Sequence, residues 1–66
     1  MLSQSDIDDL EGMIDRFSLS EVLQALSGIC DEKASHLESN WQDKNAAKCW
    51  TRDGAKITKL AGKLEN

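Results

Sequence analysis

Apolar side chains recur every three or four residues from Leu19 to Leu37, and this spacing constrains the fold more than any other feature of the chain. On an α-helix, which has about 3.6 residues per turn, such spacing aligns side chains on one face. Ser18 and Glu21 stand at the spacing of a capping box, in which a hydroxyl and a carboxylate satisfy free amides at a helix start. The pattern predicts a helix over residues 19–38. Its apolar positions are Leu19, Val22, Leu23, Leu26, Ile29, Cys30, Ala34 and Leu37.

Weaker patterns predict one further helix on each side of this one. Ser5 is a candidate N-cap, and the aspartates that follow it favour the positive end of a helix dipole, so a short helix is predicted over residues 6–16. Asn40 is the candidate N-cap of a helix over residues 41–64. Residues 53–54, Asp-Gly, either bend that helix or allow a neighbouring helix to approach closely. The chain has no proline and few aromatic residues, which disfavours a sheet and predicts an all-α fold.

The relation between the two longer helices depends on whether the chain breaks at residues 39–40. With a break there, the fold is a short N-terminal helix followed by an antiparallel two-helix hairpin. Without a break, residues 19–64 form a single long helix. The hairpin register would bring Cys30 opposite Cys49, either as a disulfide or, as a reducing cytosol favours, as two free thiols.

Length and composition predict one domain, residues 1–66, that needs self-association for its stability. A chain of 66 residues buries only about 60% of its unfolded surface, so it is marginally stable without an added constraint. Two cysteines and one histidine are too few for a disulfide framework or an ordinary zinc site, and no metal or cofactor is predicted. We therefore expect a homo-oligomeric helical bundle. Its subunits would share Leu26, Ile29, Leu37, Trp41 and Trp50.

Charge is divided unevenly along the chain, and this division indicates the kind of partner. Residues 1–43 carry ten acids and two bases, whereas residues 44–66 carry six bases and two acids. The net charge is −4, which disfavours binding to duplex DNA because the acidic half would repel the phosphate backbone.

The acidic N-terminal half predicts a macromolecular partner with a basic surface. The carboxylates of an inhibitor or adaptor can occupy the phosphate sites of a protein that normally binds nucleic acid. Tryptophan is enriched at interface hot spots, so we add the junction between the two longer helices, where Trp41 lies, to this predicted surface. The predicted partner-binding residues are Asp8, Asp9, Asp15, Asn40 and Trp41.

The basic C-terminal half supports an alternative function, the sequestration of a small phosphorylated ligand such as a nucleotide between subunits. Six basic residues recur every three or four positions, so a helix aligns them in one stripe. Arginine and lysine bind phosphate, and an indole stacks on a base. The competing interpretation is a solvated face that pairs with Asp31 and Glu38. The predicted ligand-binding residues are Lys48, Trp50, Arg52 and Lys56.

Other function classes find no support in the sequence. No nucleophile, base and orienting residue stand at a catalytic spacing, so an enzyme is not expected. No apolar run approaches the roughly 20 residues that a membrane span needs, and the acidic N-terminus does not resemble a signal peptide. We therefore expect a cytoplasmic, non-enzymatic interaction protein.

Overall fold

Three α-helices make up the chain, which reverses direction between the second and the third. The computed structural model describes the backbone of residues 1–66 and every side chain except that of Trp41. No residue of the described backbone lies in a strand, so the predicted all-α fold is confirmed. The alternative of one helix over residues 19–64 is wrong. The helices are α1 (Gln4–Arg16), α2 (Leu19–His36) and α3 (Lys44–Ala61), with a π-helical turn (Leu37–Trp41) after α2.

α1 begins two residues earlier than predicted, because Ser3 rather than Ser5 is its N-cap. The Ser3 hydroxyl accepts a hydrogen bond from the Asp6 amide at 3.1 Å, and the Asp6 carboxylate accepts one from the Ser3 amide at 2.9 Å. This reciprocal pair is a capping box. The backbone amide of Ser3, with a further contribution from its hydroxyl, lowers the pKa of Asp6 below the ordinary aspartate value.

α2 begins after Ser18, whose hydroxyl oxygen accepts a hydrogen bond from the Glu21 amide at 3.0 Å. This bond satisfies one of the amides that a helix start leaves without an intrahelical partner. The helix ends at His36, two residues before the predicted boundary, because the backbone widens there into the π-helical turn. The N-cap therefore lies where the serine and glutamate spacing indicates it, whereas the C-terminal end has no comparable signal.

The chain reverses at Gln42 and Asp43, later than the predicted break at residues 39–40. The π-helical turn carries helical backbone past Asn40, so Asn40 does not cap α3. Gln42 adopts left-handed dihedral angles, with φ 53° and ψ 30°, and the Asp43 amide donates to the Leu37 carbonyl oxygen at 3.1 Å. Asp43 caps α3 instead, because its Oδ1 atom accepts from the Ala46 amide at 3.0 Å. α3 consequently begins three residues after its predicted start, and it ends at residue 61 rather than 64.

Small residues pack α2 against α3 and allow the two backbones to approach closely. A Cβ atom at Gly54 would lie 3.0 Å from the Cys30 Cβ atom and 3.4 Å from the Ser27 carbonyl oxygen, so a side chain there needs a shift of its neighbours. Of the two alternatives for residues 53–54, the close approach is correct, and α3 runs through them without interruption. The buried residues of the interface are Ser27, Cys30 and Ala34 on α2 and Ala47, Gly54 and Ala61 on α3.

Hydrogen bonds across this interface show how the two helices run. The Ser20 hydroxyl donates to the Ala61 carbonyl oxygen at 3.2 Å. The Ser27 hydroxyl donates to the Gly54 carbonyl oxygen at 2.9 Å. As the donor advances along α2, the acceptor moves back along α3, so the helices are antiparallel. This arrangement is compatible with the predicted hairpin.

The register of the two helices differs from the predicted one, with the residues that face α2 shifted toward the C-terminal end of α3. Cys30 is buried against Gly54, whereas Cys49 is exposed, so the predicted pairing of Cys30 with Cys49 is wrong. Both thiols are free. The displacement follows from the later reversal of the chain, since each residue added before the turn moves the facing position along α3.

α1 packs loosely, and it does so against α2 alone. None of its residues is buried. Among the described residues no Cα atom of α1 lies within 8 Å of a Cα atom of α3, so α2 is the central helix of the three. No helix among the described residues combines the length and apolar content that crossing a membrane requires.

Candidate protein-binding groove

Large apolar side chains lie on the outside of this protein rather than in its interior. The buried apolar residues are the small ones of the α2–α3 interface, and no large side chain among the described residues is fully buried. Phe17 is 58% exposed, Ile29 is 46% exposed and Leu26 is 38% exposed. Clusters of exposed apolar residues mark interaction sites, so these side chains define the candidate site.

The accessible surface of the chain is larger than its mass predicts. It measures 5348 Å² for a mass of 7.3 kDa. A compact monomer of that mass exposes about 4,200 Å². The chain alone therefore leaves roughly 1,100 Å² uncovered that a compact fold of the same size would bury.

An apolar groove runs between α1 and the first half of α2, with a volume of about 460 Å³. On each side of the groove the lining residues are three or four positions apart, so helical geometry aligns them. Glu21 is the one acidic residue among those that line the groove. The groove is lined by Leu10, Met13, Phe17, Glu21, Val22, Ala25, Leu26 and Ile29.

α2 carries two apolar faces, although its sequence pattern reads as one. Cys30 and Ala34 are buried against α3, whereas Leu26 and Ile29 line the groove on another side. The two faces differ in side-chain size: small residues face the close helix contact, whereas Val22, Leu26 and Ile29 line the groove together with Ala25. The apolar spacing in the sequence does not distinguish these two faces, whereas the size of the side chains does.

A second cavity continues this apolar surface from α2 toward α3, with a volume of about 460 Å³. The Lys33 ammonium nitrogen lies 5.5 Å from the centre of the Trp50 ring, which is a cation–π distance. Because Ile29 lines both cavities, the two adjoin along α2, although Glu32, Lys33 and His36 make the second one more polar than the groove. The second cavity is lined by Ile29, Glu32, Lys33, His36, Leu37 and Trp50.

Three exposed carboxylates follow one side of α1, and we call them the acidic row: Asp8, Glu11 and Asp15. They are three and four residues apart, which places them on the same side of the helix. Asp9 projects about 100° away from Asp8, so the three predicted partner-binding aspartates, Asp8, Asp9 and Asp15, do not share one face of α1. Glu11 was not among the predicted residues, although its spacing from Asp8 and Asp15 is a signal that indicates it.

The predicted contact residues at the helix junction are Asn40 and Trp41. Asn40 is exposed, and its amide nitrogen lies 2.8 Å from the Nδ1 atom of His36. The side chain of Trp41 lies outside the described residues. Among the residues that are described, no three His, Cys, Asp or Glu side chains are grouped closely enough to hold a metal ion.

Three of the four predicted ligand-binding residues are divided between two cavities. Trp50 lines the second cavity described above, whereas Arg52 lines a third one, because two residues correspond to about 200° of rotation on a helix. The indole and the guanidinium are therefore not brought together in one chain. Lys56 is exposed further along α3. The third cavity, of about 330 Å³, is lined by Glu38, Lys44, Ala47, Lys48, Thr51 and Arg52.

No protein-family model, curated protein or solved structure matches this chain. The geometry of the described residues is therefore the basis for assigning a function. Its main feature is uncovered apolar surface on α1 and α2, with the acidic row on the same first helix. A surface of this kind is suited to a protein partner.

Proposed function

We propose that this chain is a non-enzymatic, cytoplasmic interaction protein of the adaptor or inhibitor type, which binds a protein partner in the groove between α1 and α2. The observation that carries the proposal is the exposure of large apolar side chains along that groove, above all Phe17. Full burial of such a side chain contributes about 1.5–3 kcal/mol. A partner that covers the groove therefore gains a contribution that the chain's own fold leaves unused.

The chemistry of the groove indicates what the partner presents. A groove between two helices accepts the apolar side of a third helix. The acidic row lies on the side of α1 away from the groove, whereas Glu21 stands at the groove edge, so a basic residue beside the apolar side favours association. The partner is thus an amphipathic helix with lysine or arginine flanking its apolar stripe. Asn40 and Trp41 remain predicted contacts at the far end of α2.

We also propose that the chain packs as a homo-oligomeric helical bundle. Leu26, Ile29 and Trp50 are each more than a third exposed and lie along one continuous surface. Leu37 lines the same cavity as Trp50. Contact with another subunit would remove these side chains from water, which is the largest favourable term in most protein association.

Calorimetric titration with two synthetic amphipathic helices tests binding in the groove. One peptide combines leucine with lysine, and the other carries glutamate at the lysine positions. We expect the lysine peptide to bind at least about tenfold more tightly than the glutamate peptide, because complementary charge favours the first and like charge opposes the second. Equal affinity for the two peptides would contradict the proposed partner chemistry.

Phe17→Ser and Leu2→Ser are a matched pair for the same titration. Both side chains are more than half exposed, but only Phe17 lines the groove. Loss of an interface aromatic anchor costs more than about 1 kcal/mol, so Phe17→Ser should weaken binding of the lysine peptide at least about fivefold. Leu2→Ser should leave the affinity unchanged. An unchanged affinity in Phe17→Ser would place binding outside the groove.

A second candidate function is the sequestration of a small phosphorylated ligand, such as a nucleotide, between subunits. Lys48 and Arg52 line one cavity with Lys44, which favours an anion. Glu38 in the same cavity opposes it, and a second subunit would have to provide the stacking side chain. Calorimetry with a panel of nucleotides tests this function. Binding that is lost in Arg52→Ala would support it, and no binding of any nucleotide would exclude it.

A further inference from the structure

We infer that the outer side of α3 is a second interaction surface, which binds the phosphate backbone of a nucleic-acid duplex. This surface, which we call the basic face, consists of four exposed residues: Lys48, Arg52, Lys56 and Lys59. The inference does not rest on the groove, because no residue of α3 lines the groove. A chain with both surfaces would connect a protein partner to a nucleic acid, as an adaptor does.

The basic face lies on the side of α3 that points away from α2. Gly54 marks the opposite side, because it lies where the two helices approach most closely. At about 100° per residue, each member of the basic face projects about 120–160° from Gly54 and within about 40° of Arg52. The four residues are three or four positions apart and cover about 16 Å of helix, at about 1.5 Å per residue. They therefore form one continuous positively charged surface that α2 does not cover.

Positive charge predominates around the basic face. α3 carries five bases and one acid, a net charge of +4. Asp31 of α2 approaches α3 at Gly54, where its Oδ1 atom lies 3.6 Å from the position of a Cβ atom, on the side away from Arg52. Glu38 is the one acidic residue that lines a cavity with Lys48 and Arg52. Glu38 is thus the carboxylate on α2 or the turn that most directly opposes an anion at the basic face.

The acidic half of the chain is held at a distance from the basic face. Ala34, which is buried against α3, and Ile29, which lines the groove beside α1, project about 140° apart on α2. With neighbouring helix axes about 8–10 Å apart, this angle places the axes of α1 and α3 about 15–19 Å apart. That separation is about twice the Debye length of about 8 Å at physiological salt, so exposed charges on α1 are largely screened. The net charge of −4 disfavours a duplex only where acids and bases share one surface, and here α2 separates them.

The composition of the basic face favours a phosphate backbone over a protein partner. Within about 40° of Arg52, Asn45 is the only residue of α3 that is not basic. The centre of a protein interface is depleted of charged residues and enriched in aromatic ones, and the basic face has no apolar centre. A phosphate backbone needs only cations, since the release of its counterions supplies the affinity.

The position of Trp50 favours a duplex over a single strand. Proteins that bind single strands add stacking on aromatic side chains to the attraction between charges. Trp50, the one aromatic residue of α3, projects about 160° from Arg52 and lines another cavity. A duplex carries one charge per about 1.7 Å of its axis, twice the density of each of its strands. A surface that offers cations without stacking is therefore better matched to a duplex.

Fluorescence anisotropy with labelled DNA and RNA duplexes of one sequence tests the inference, and the duplex that binds more tightly identifies the source of the backbone. Each phosphate contact contributes about −0.9 to the slope of log K against log salt concentration, so four contacts predict a slope of about −3.6. A fourfold rise in salt should then weaken binding by about a hundredfold. Absence of binding to either duplex in low salt, with the protein at about 100 µM, would overturn the inference, since non-specific binding is detected at that concentration.

Two double variants with the same change in net charge locate the binding surface. Lys56→Gln with Lys59→Gln removes two cations from the basic face, so the slope should fall to about −1.8 and binding should weaken at least about tenfold. Arg16→Gln with Lys33→Gln removes two exposed cations from α1 and α2 and should leave the affinity and the slope unchanged. Far-UV circular dichroism should show the same helix content in both variants, because all four positions are exposed. Equal weakening by the two variants would overturn the inference.

A second matched pair tests whether local or net charge governs binding. Glu38→Gln removes the carboxylate that lines a cavity with Lys48 and Arg52, so it should tighten duplex binding about twofold. Asp15→Asn changes the net charge by the same amount on α1 and should leave the affinity unchanged. If Asp15→Asn tightened binding as much as Glu38→Gln does, the separation of the two charged surfaces would be refuted.

The outcomes distinguish this inference from the proposed function and from an acidic protein partner. Phe17→Ser should leave duplex binding unchanged, because Phe17 lines the groove and not the basic face. Loss of peptide binding to the groove would therefore leave duplex binding intact, and the reverse also holds. A polyglutamate peptide that binds the basic face more tightly than either duplex would overturn the nucleic acid and identify an acidic protein as the partner.

Discussion

The α2–α3 interface and the α1–α2 groove are both formed by apolar residues on neighbouring helices, yet one is closed and the other open. At the first, Gly54 and Ala34 are small enough for the backbones to meet, and Ser27 donates a hydrogen bond directly to a carbonyl oxygen of α3. At the second, side chains as large as Phe17 and Leu26 hold the helices apart and leave space between them. Side-chain size thus separates the helix pair that forms an interior from the pair that leaves an open groove.

The closed interface explains how so short a chain holds two long helices together. Backbones that approach closely gain many van der Waals contacts, each of about 0.1–0.2 kcal/mol, although the side chains contribute little apolar area. The open groove contributes less to the fold, since none of α1 is buried. The interface that stabilises the fold and the groove proposed to bind a partner therefore lie on different sides of α2.

The largest expected effect is on the closed interface, through Gly54→Leu. A leucine side chain begins with a Cβ atom that would lie 3.0 Å from the Cys30 Cβ atom, so the helices must separate. Overpacking of this kind typically costs about 1–3 kcal/mol, and we expect the upper part of that range in the free energy of unfolding. Chemical denaturation followed by circular dichroism measures it.

Gly28→Leu is the matched control for this substitution. Gly28 also lies within a helix, but nothing lies within 4 Å of a Cβ atom built there. The same exchange should therefore stabilise α2 by up to about 1 kcal/mol, because leucine favours a helix more than glycine does. If both variants were destabilised alike, the close approach at Gly54 would not be what holds α2 to α3.

A substitution in the open groove, Phe17→Ala, should affect the stability of the chain less. Truncation of a buried phenylalanine costs about 3–5 kcal/mol, but Phe17 is 58% exposed. Phe17→Ala should therefore reduce the free energy of unfolding by less than about 1 kcal/mol in dilute solution, where the groove is empty. Denaturation at the lowest workable protein concentration measures it. A loss of several kcal/mol would mean that Phe17 is a core residue.

The smallest expected effect concerns the capping box at the start of α1. Its hydrogen bonds from Ser3 lower the pKa of Asp6 in the folded chain. The contribution of the carboxylate to α1 is then fully present above the ordinary aspartate pKa and is lost as the pH falls through the lowered value. We expect the helix signal of the wild type to decline as the pH falls below about 4, more steeply than in Asp6→Asn. Circular dichroism against pH compares the two, with Asp15→Asn as the control that keeps the wild-type slope.

Helix count and the start of the central helix were predictable because their signals are local. The serine and glutamate spacing before Leu19 indicates an N-cap at Ser18, and the structure has one there. For α1, two serines compete, and each has an aspartate three residues later, so this spacing does not distinguish Ser3, which the structure uses, from Ser5. The end of α2 was not predictable in the same way, because a π-helical turn ending in the left-handed Gln42 has no sequence signature comparable to a glycine.

The groove was less predictable than the fold because it depends on which apolar residues face which neighbour. The apolar spacing places Leu26 and Cys30 on one stripe, whereas the structure buries Cys30 and leaves Leu26 on the groove. The division follows from the register of α2 and α3, which a later chain reversal changes. By contrast, the separation of Trp50 from Arg52 follows from two-residue spacing alone and was available in the sequence.

Amide hydrogen exchange at several protein concentrations tests most directly the claim that α2 and α3 form the stable unit and that α1 is protected by association. We expect amides of α2 and α3 near the closed interface to be protected at every concentration. Amides of α1 should exchange rapidly in dilute solution and become protected as the concentration rises, because a second copy then covers the groove. Protection of α1 equal to that of α2 and α3, and independent of concentration, would contradict this account.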